Sequence, residues 1–172
     1  MQFVWGEYIR WMSMIFVTVG SQKFQFNRLL KKIDELVTKG VITDRVFAQT
    51  GASDYKPENY EYKDFLDREE FAKIMAECDI VITHGGTGAI IGAVKKGKKV
   101  IAVPRLAKYG EHVDDHQLQI IEQFKEQNLI YGLSNCEELD VSVKNIITHK
   151  FEKYQSNTDV YIKELGEFID NL

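Results

Sequence analysis

Residues 79–104 of this chain read DIVITHGGTGAIIGAVKKGKKVIAVP, and this stretch decides the fold. An apolar run at 79–83 is followed by a glycine-rich turn, a segment of small residues at 86–96 and a second apolar run at 99–103. Unbroken apolar runs of this length are typical of parallel strands that are buried on both faces, and the segment between them is long enough for a crossover helix. The stretch therefore predicts a strand–helix–strand unit of a parallel sheet.

The same alternation extends in both directions along the chain. Further strands are predicted at 14–19, 44–49, 60–65 and 129–133. Helices are predicted at 23–39, after Asp67, at 114–128, and twice near the end, where the last carries Ile162, Leu165, Ile169 and Leu172 on one face. Asp67 and Glu70 have the spacing of a capping box. We therefore predict an α/β fold, a Rossmann-like doubly wound parallel sheet, with residues 14–172 as one domain.

Composition narrows the function classes. The chain has 172 residues, 44% hydrophobic and 28% charged, with a net charge of −4, which excludes a disordered or collagen-like chain and gives no sign of nucleic-acid binding. This length buries a sufficient core without a disulfide or a structural metal. Cys78 and Cys136 stand far apart, without zinc-ligand spacing, so we expect two buried free thiols and a cytoplasmic chain.

The first 13 residues, MQFVWGEYIRWMS, are rich in aromatic side chains. They lack the basic start and the small-residue cleavage site of a signal peptide. Three interpretations remain open: an upstream extension, an additional core helix, or a segment that docks on a partner or a membrane surface.

Three polar segments follow the first, fourth and fifth predicted strands, where ligands bind in such sheets. The first contains Gly20 and Ser21, and the second is the turn 84–88. This turn places Gly85, Gly86 and Gly88 at a helix N-terminus, where free N–H groups and the helix dipole favour a phosphate. His84 and Thr87 are expected to add side-chain donors. A tight turn without a ligand is the alternative.

Two nucleotide-binding motifs are excluded by position or spacing. A dinucleotide-binding domain has its glycines after the first strand and an acidic residue about 20 residues later. Here the glycines follow the fourth predicted strand, and the next strand ends at Pro104-Arg105. No GxxxxGK[ST] motif is present, so the turn is not a P-loop.

The third segment, 104–117, is dense in polar side chains. Asp114 and Gln117 have capping-box spacing, which leaves Arg105 and the histidines unexplained. His112 and His116 are four residues apart with acids between them, but a metal site would need His84 to converge from another strand. The alternative is a hydrogen-bonding cage for a polar ligand such as a sugar, built from carboxylate, amide and imidazole groups, with Asp115 among the carboxylates.

Residues 79–122, with THGGTG and GEHVDDHQ, and residues 14–36 (MIFVTVGSQKFQFNRLLKKIDEL) resemble the C-terminal, donor-binding half of GT-B glycosyltransferases of the family 28 type. The opening is most similar to the catalytic subunits of two-subunit enzymes that make dolichol-linked, capsule or exopolysaccharide glycans. The resemblance covers about residues 14–127.

The resemblance implies roles for individual residues. The loop 84–88 would hold the nucleotide diphosphate, and Gly20 and Ser21 would face the cleft between two domains. His116 and Gln117 occupy the place of residues that bind hydroxyls of the donor sugar, and Glu111 and His112 are expected close to the donor. Many relatives carry a glutamate for the ribose at the position of Gly92, so ribose recognition is left unassigned.

A GT-B enzyme needs two such domains, and this chain has room for one. The resemblance implies a membrane-anchored partner that supplies the acceptor half and a location at the inner face of the membrane. The expected reaction transfers a sugar, with inversion, from a UDP-sugar to a lipid-pyrophosphate-linked saccharide, without metal or cofactor. Arg105 would stabilise the leaving diphosphate, and His112, His116 or Glu111 is the candidate base unless the partner supplies it. A non-catalytic module that scaffolds a membrane partner is the main alternative, and length argues against a UDP-sugar 2-epimerase.

Overall fold

The computed structural model describes residues 13–155. Nearly all of the predicted N-terminal extension and the whole of the last predicted helix lie outside these residues. Six strands alternate with five α-helices: β1 (Met14–Thr18), α1 (Asn27–Thr38), β2 (Arg45–Gln49), β3 (Glu61–Lys63), α2 (Arg68–Glu77), β4 (Ile80–His84), α3 (Thr87–Val94), β5 (Lys99–Val103), α4 (His116–Glu126), β6 (Tyr131–Gly132) and α5 (Leu139–Asn145). Short 3-10 turns at Ala107–Tyr109 and Cys136–Glu138 complete the described part.

The six strands form one parallel sheet in the order β3-β2-β1-β4-β5-β6. The strand order reverses between β1 and β4, which are direct neighbours and pair from Ile15 with Ile80 to Thr18 with Thr83. This is the predicted doubly wound, Rossmann-like sheet. The register brings the ends of β1 and β4 to the same edge of the sheet, at the switch point.

Alternating side chains of the central strands serve two cores, one on each face of the sheet. In β1, Ile15 and Val17 pack on one face with helix α1, while Phe16 packs on the other with α2 and α3, and all three side chains are fully buried. The prediction of strands buried on both faces holds for β1, β4 and β5. It fails for β3, because β3 is an edge strand whose three residues are all exposed.

The start of α1 differs from the prediction for a local reason. The helix begins at Asn27 rather than at residue 23, because the preceding main chain is held by other partners. The carbonyl of Phe24 accepts from Arg105, and the side-chain oxygen of Gln25 accepts from the N–H of Asn27. Residues 23–26 are therefore a loop that leads from β1 to the helix.

Two smaller predictions are confirmed. The capping box of α2 is confirmed, because Asp67 and Glu70 each accept the N–H of the other. Both cysteines are free and buried, as expected. Within residues 13–155, no helix is long and apolar enough to cross a membrane.

Candidate functional site

The loops after β1 and β4 meet at the switch point through one histidine. The ring of His84 fills the space between Gly20 and Gly86: a Cβ on Gly20 would lie 2.8 Å from Cε1 of His84, and a Cβ on Gly86 would overlap Nε2. Gly20 also has φ +79°, which favours glycine. The two glycines, predicted from sequence as parts of separate loops, therefore form a single packing unit around His84.

His84 is neutral at physiological pH. Burial lowers its pKa to about 4, and the nearby charge of Arg105 contributes in the same direction. The hydroxyl of Thr83 donates to the carbonyl of Thr18 at 2.9 Å and lies 3.3 Å from Nδ1 of His84. Because this hydroxyl proton is already used, the oxygen of Thr83 has lone pairs that can accept from Nδ1. The donor role of His84 toward a ligand stays a prediction.

The N-terminus of α3 is the most open part of the turn. Gly86 is the N-cap residue and makes no side-chain cap bond, while Thr87 and Gly88 are exposed. A Cβ on Gly88 would meet no atom of residues 13–155 within 4 Å, so packing in this described part of the domain does not require a glycine here. The first N–H groups of a helix have no intrahelical acceptor, and together with the dipole they form an anion-binding end.

Gly85 packs tightly against the first turn of α4. A Cβ there would lie 2.7 Å from Cβ of Gln117 and 3.1 Å from Cδ1 of Ile121. The N–H of Gly85 donates to Oε1 of Gln117 at 3.1 Å, and the N–H of Arg105 donates to the same oxygen at 3.0 Å. Gln117 is 6% exposed. The predicted capping box of Asp114 and Gln117 is therefore wrong, because the glutamine side chain turns inward to the sheet edge.

Arg105 is buried beside the loop after β1. Its side chain is fully buried, and Nη2 donates to the carbonyls of Val19 and Phe24 at 2.6 and 3.2 Å. The guanidinium lies 5.5 Å from the ring centroid of Phe26. Burial lowers the pKa of Arg105 to about 10, with the neighbouring Glu111 opposing the change. Nη2 therefore holds the loop after β1, while Nε and Nη1 are buried and have no hydrogen-bond partner among residues 13–155, so the contact of Arg105 with a diphosphate stays a prediction.

Glu111 is also fully buried, in an ion pair with Arg28 of α1. Nε and Nη2 of Arg28 donate to the two carboxylate oxygens at 3.0 and 2.8 Å, and the N–H of Leu106 donates to Oε2 at 3.0 Å. A bidentate pair of this kind fixes the loop 104–117 on α1. Because both oxygens are engaged and shielded from solvent, we set aside the prediction that Glu111 is a catalytic base.

The remaining polar groups of this loop lie nearer to the surface. Asp115 accepts the N–H of Ala107, and Asp114 accepts the N–H of His116 and lies 3.1 Å from Nδ1 of His112. His116 is exposed, while His112 is partly covered and lies beside Phe24. Ser21 is exposed next to Gly20. Within residues 13–155, no three His, Cys, Asp or Glu side chains converge as metal ligands.

Sequence reasoning missed two residues of this region. Arg28 stands in the first turn of α1, where no acidic residue is present and where a cation opposes the helix dipole. That unfavourable position was the available signal that Arg28 has a specific partner. Gly51 follows β2 with φ +56°, and a Cβ there would lie 2.8 Å from the carbonyl oxygen of Gly20. This close approach involves the loop after β2, in which the sequence analysis named no site residue.

Comparisons with known proteins identify the family of this domain. The family model described as "Glycosyltransferase family 28 C-terminal domain" matches residues 14–172. The UDP-N-acetylglucosamine transferase subunit ALG13 of Kluyveromyces lactis is 39% identical over 62 residues, which are 36% of this chain and 29% of that protein. The human protein of the same name is 27% identical over 140 residues, 70% of this chain and 11% of that protein. This chain thus spans less than a third of the length of these relatives.

Two solved structures share the fold at low sequence identity. A solution structure of ALG13 has a TM-score of 0.57 at 17% identity, covering 89% of this chain and 94% of that one. MurG of Acinetobacter baumannii has a TM-score of 0.57 at 15% identity and covers 82% of this chain, but only 42% of its own length is matched. The described domain therefore corresponds to one part of a larger GT-B chain. On the match over residues 14–172, this chain belongs to the glycosyltransferase family 28 C-terminal domain family.

Proposed function

We propose that this domain binds a UDP-sugar at the N-terminus of α3 and acts as the donor half of a glycosyltransferase. The single observation that carries the proposal is the open helix N-terminus at the switch point, where Gly88 leaves space that no residue of 13–155 fills. The names of the relatives, UDP-N-acetylglucosamine transferase subunits, favour that nucleotide sugar as the donor.

The electrostatics of the site fit a diphosphate that gains charge as it leaves. The N–H groups of Thr87 and Gly88 lie at the positive end of the α3 dipole, and they require no reorganisation when charge develops on the leaving group. Because His84 is neutral, its ring adds no positive charge, and the main-chain dipoles act together with the nearby charge of Arg105. Arg105 also holds the loop after β1 through Nη2, while its Nε and Nη1 are buried without a partner among residues 13–155.

The acceptor side of the reaction remains a proposal from the resemblance. It consists of a lipid-pyrophosphate-linked saccharide, inversion at the transferred sugar, and a membrane-anchored partner that supplies the other half of the cleft. His112 and His116 are the candidate bases in this chain, since both lie in the loop beside the site and neither is fully buried. A general base must lie within hydrogen-bond reach of the acceptor hydroxyl, and a side chain of the partner would meet the same requirement.

Calorimetric titration with UDP tests the donor site. Gly88→Asp adds a carboxylate that the domain itself accommodates, because the position is open, but the new charge repels a diphosphate. We expect UDP affinity to fall about tenfold or more. Ala72→Asp, on the exposed side of α2, is the control for an added charge in a helix. Equal affinity of Gly88→Asp and the wild type would reject the site.

A scaffold without catalysis is the second candidate function. It is favoured by Gly92, which offers no side chain for the ribose at a position with open space around it. Assay of the chain together with its membrane partner against a panel of UDP-sugars separates the two. Transfer from any donor supports the enzyme, and UDP binding without transfer from any donor supports the scaffold.

A further inference from the structure

We infer that Gln49 is a positioning residue that holds the loop after β1 of the donor site against the loop after β3. This inference deepens the proposed function and rests on it for the meaning of the site. Gln49 is the last residue of β2, which lies between β1 and β3 in the sheet, and it is 6% exposed. Its side chain contacts main-chain atoms of the loops on both sides, at Gly20 and at Leu66.

The side-chain amide of Gln49 is engaged at both ends. Nε2 donates to the carbonyl oxygen of Gly20 at 3.4 Å, and Oε1 accepts the N–H of Leu66 at 3.2 Å. The two main-chain partners fix the orientation of the amide, because a carbonyl requires a donor and an N–H requires an acceptor. A glutamine side chain supplies one of each without adding a charge. It therefore fits a position where one loop offers an acceptor and the other offers a donor.

The loop after β3 is a fixed point for this contact, because the main chain already ties it to the end of β2. The N–H of Gly51 donates to the carbonyl of Asp64 at 2.8 Å, two residues before Leu66. Gly51 also leaves no room for a Cβ beside the carbonyl oxygen of Gly20, so this oxygen is enclosed on the β2 side. From this fixed point, Gln49 reaches across to Gly20.

The main chain that leaves β1 is held by side chains from both directions along the sheet. Three successive carbonyl groups each accept a hydrogen bond from a buried side chain. The pairs are Thr18 with Thr83, Val19 with Arg105, and Gly20 with Gln49. Thr83 and Arg105 come from the β4 and β5 side of β1, whereas Gln49 comes from the β2 side. Gln49 therefore balances the other two donors and sets the place of the loop along the sheet edge.

The position of Gly20 affects the donor site through His84. The ring of His84 lies against Gly20 on one side and against Gly86, the N-cap residue of α3, on the other. If the loop after β1 moved, His84 would lose one of the two surfaces that confine its ring beside the helix end. Gln49 thus acts on the site that would bind the diphosphate, although β2 lies two strands away from β4.

NMR of the full chain without ligand tests the two links separately. Gln49→Met removes both, whereas Gln49→Glu keeps an acceptor for Leu66 and, when ionised, loses the donor to Gly20. We expect amide hydrogen exchange at Leu66 to rise about fivefold or more in Gln49→Met and to stay near the wild type in Gln49→Glu. The carbonyl carbon resonance of Gly20 should shift in both variants. Unchanged exchange at Leu66 in Gln49→Met, or an unchanged Gly20 resonance in both variants, would overturn the inference.

Titration with UDP separates positioning from a purely structural role. At a temperature where each variant is fully folded, Gln49→Met should bind UDP about fivefold more weakly, because part of the binding free energy is then used to order the loop after β1. Gln49→Asn, whose shorter amide cannot span the same two partners, serves in its place if Gln49→Met does not fold. Asp67→Ala is the matched control, since it destabilises the neighbouring start of α2 and leaves both contacts of Gln49 in place.

The outcomes for the inference and for the proposed function differ. A wild-type affinity for UDP in a fully folded Gln49→Met or Gln49→Asn would show that the residue only stabilises the fold, and this would overturn the inference. An equal loss of affinity in Asp67→Ala would overturn it as well. A wild type that binds no UDP would reject the proposed function instead, while the exchange at Leu66 and the Gly20 resonance would still decide whether Gln49 joins the two loops.

Discussion

The loop after β4 and the loop after β5 are both exceptional in sequence, but for opposite reasons. The first, around Gly86, is short of side chains, and its helix end stays open at Gly88. The second, 104–117, is crowded with polar side chains, of which Arg105, Glu111 and Gln117 are buried and bonded within the domain. Under the proposed function, the loop without side chains offers the binding surface, while the buried side chains of the polar loop support it.

The largest expected effect comes from a substitution at a glycine that packs against His84. Gly20→Ala places a Cβ against His84 and forces a side chain into a left-handed conformation. Overpacking and backbone strain together should destabilise the domain by about 4 kcal/mol, measured by urea unfolding. Gly92→Ala is the contrasting variant, because its Cβ is unobstructed in mid-helix and should stabilise the domain by about 0.5–1 kcal/mol. Equal effects would show that His84 does not fill this space.

The next prediction concerns the polar loop. Glu111→Leu leaves Arg28 without its carboxylate and the N–H of Leu106 without an acceptor, and we expect a loss of about 3 kcal/mol in urea unfolding. Arg28→Met combined with Glu111→Leu should recover part of this loss, since no lone charge remains. A catalytic base would behave differently: Glu111→Leu would abolish transfer while leaving the unfolding free energy unchanged.

The pH dependence of stability tests the buried histidine between the two glycines. The folded pKa of His84 is lowered to about 4, so as pH falls the unfolded chain takes up its proton first, near pH 6.5. The contribution is complete above that pH and is lost progressively down to about pH 4, a decrease of at most about 3 kcal/mol. We expect His84→Gln to flatten this part of the unfolding curve. If His84→Gln left the slope of unfolding free energy against pH unchanged, the imidazole of His84 would be exposed to solvent.

The smallest effect belongs to a helix remote from both loops. Asp67→Ala removes the capping box of α2 and should cost about 1 kcal/mol in urea unfolding. UDP affinity should not change, because the cap bonds join Asp67 to Glu70, within the start of α2 itself. A change in UDP affinity larger than twofold would show that UDP binding follows the overall stability of the domain. The contrast between the two loops would then not explain UDP affinity.

Most of the fold could be predicted from sequence because its determinants are local. Apolar runs such as 79–83 and 99–103 specify buried strands, and the capping box of α2 specifies a helix start. The prediction failed where tertiary contacts decide. The edge strand β3 is exposed because no element of residues 13–155 covers it, and residues 23–26 are a loop because Arg105 and Gln25 hold their main chain.

The candidate site divides in the same way. Glycine reports a local requirement, namely a positive φ or a missing Cβ, so the turn 84–88 and Gly20 could be recognised in advance. The sequence does not specify in which direction a polar side chain points. Whether Gln117 faces a ligand or the N–H groups of Gly85 and Arg105 depends on how α4 lies against the sheet, which the sequence does not specify locally.

The most direct test of the central claim is an NMR titration of the full chain with UDP, followed at the backbone amides. The account predicts that the largest shifts occur at Thr87, Gly88 and Gly20, around the open end of α3, with saturation at a single affinity. Saturable shifts confined to any other surface, or no shifts at millimolar UDP, would contradict the assignment of the glycine turn as the diphosphate site.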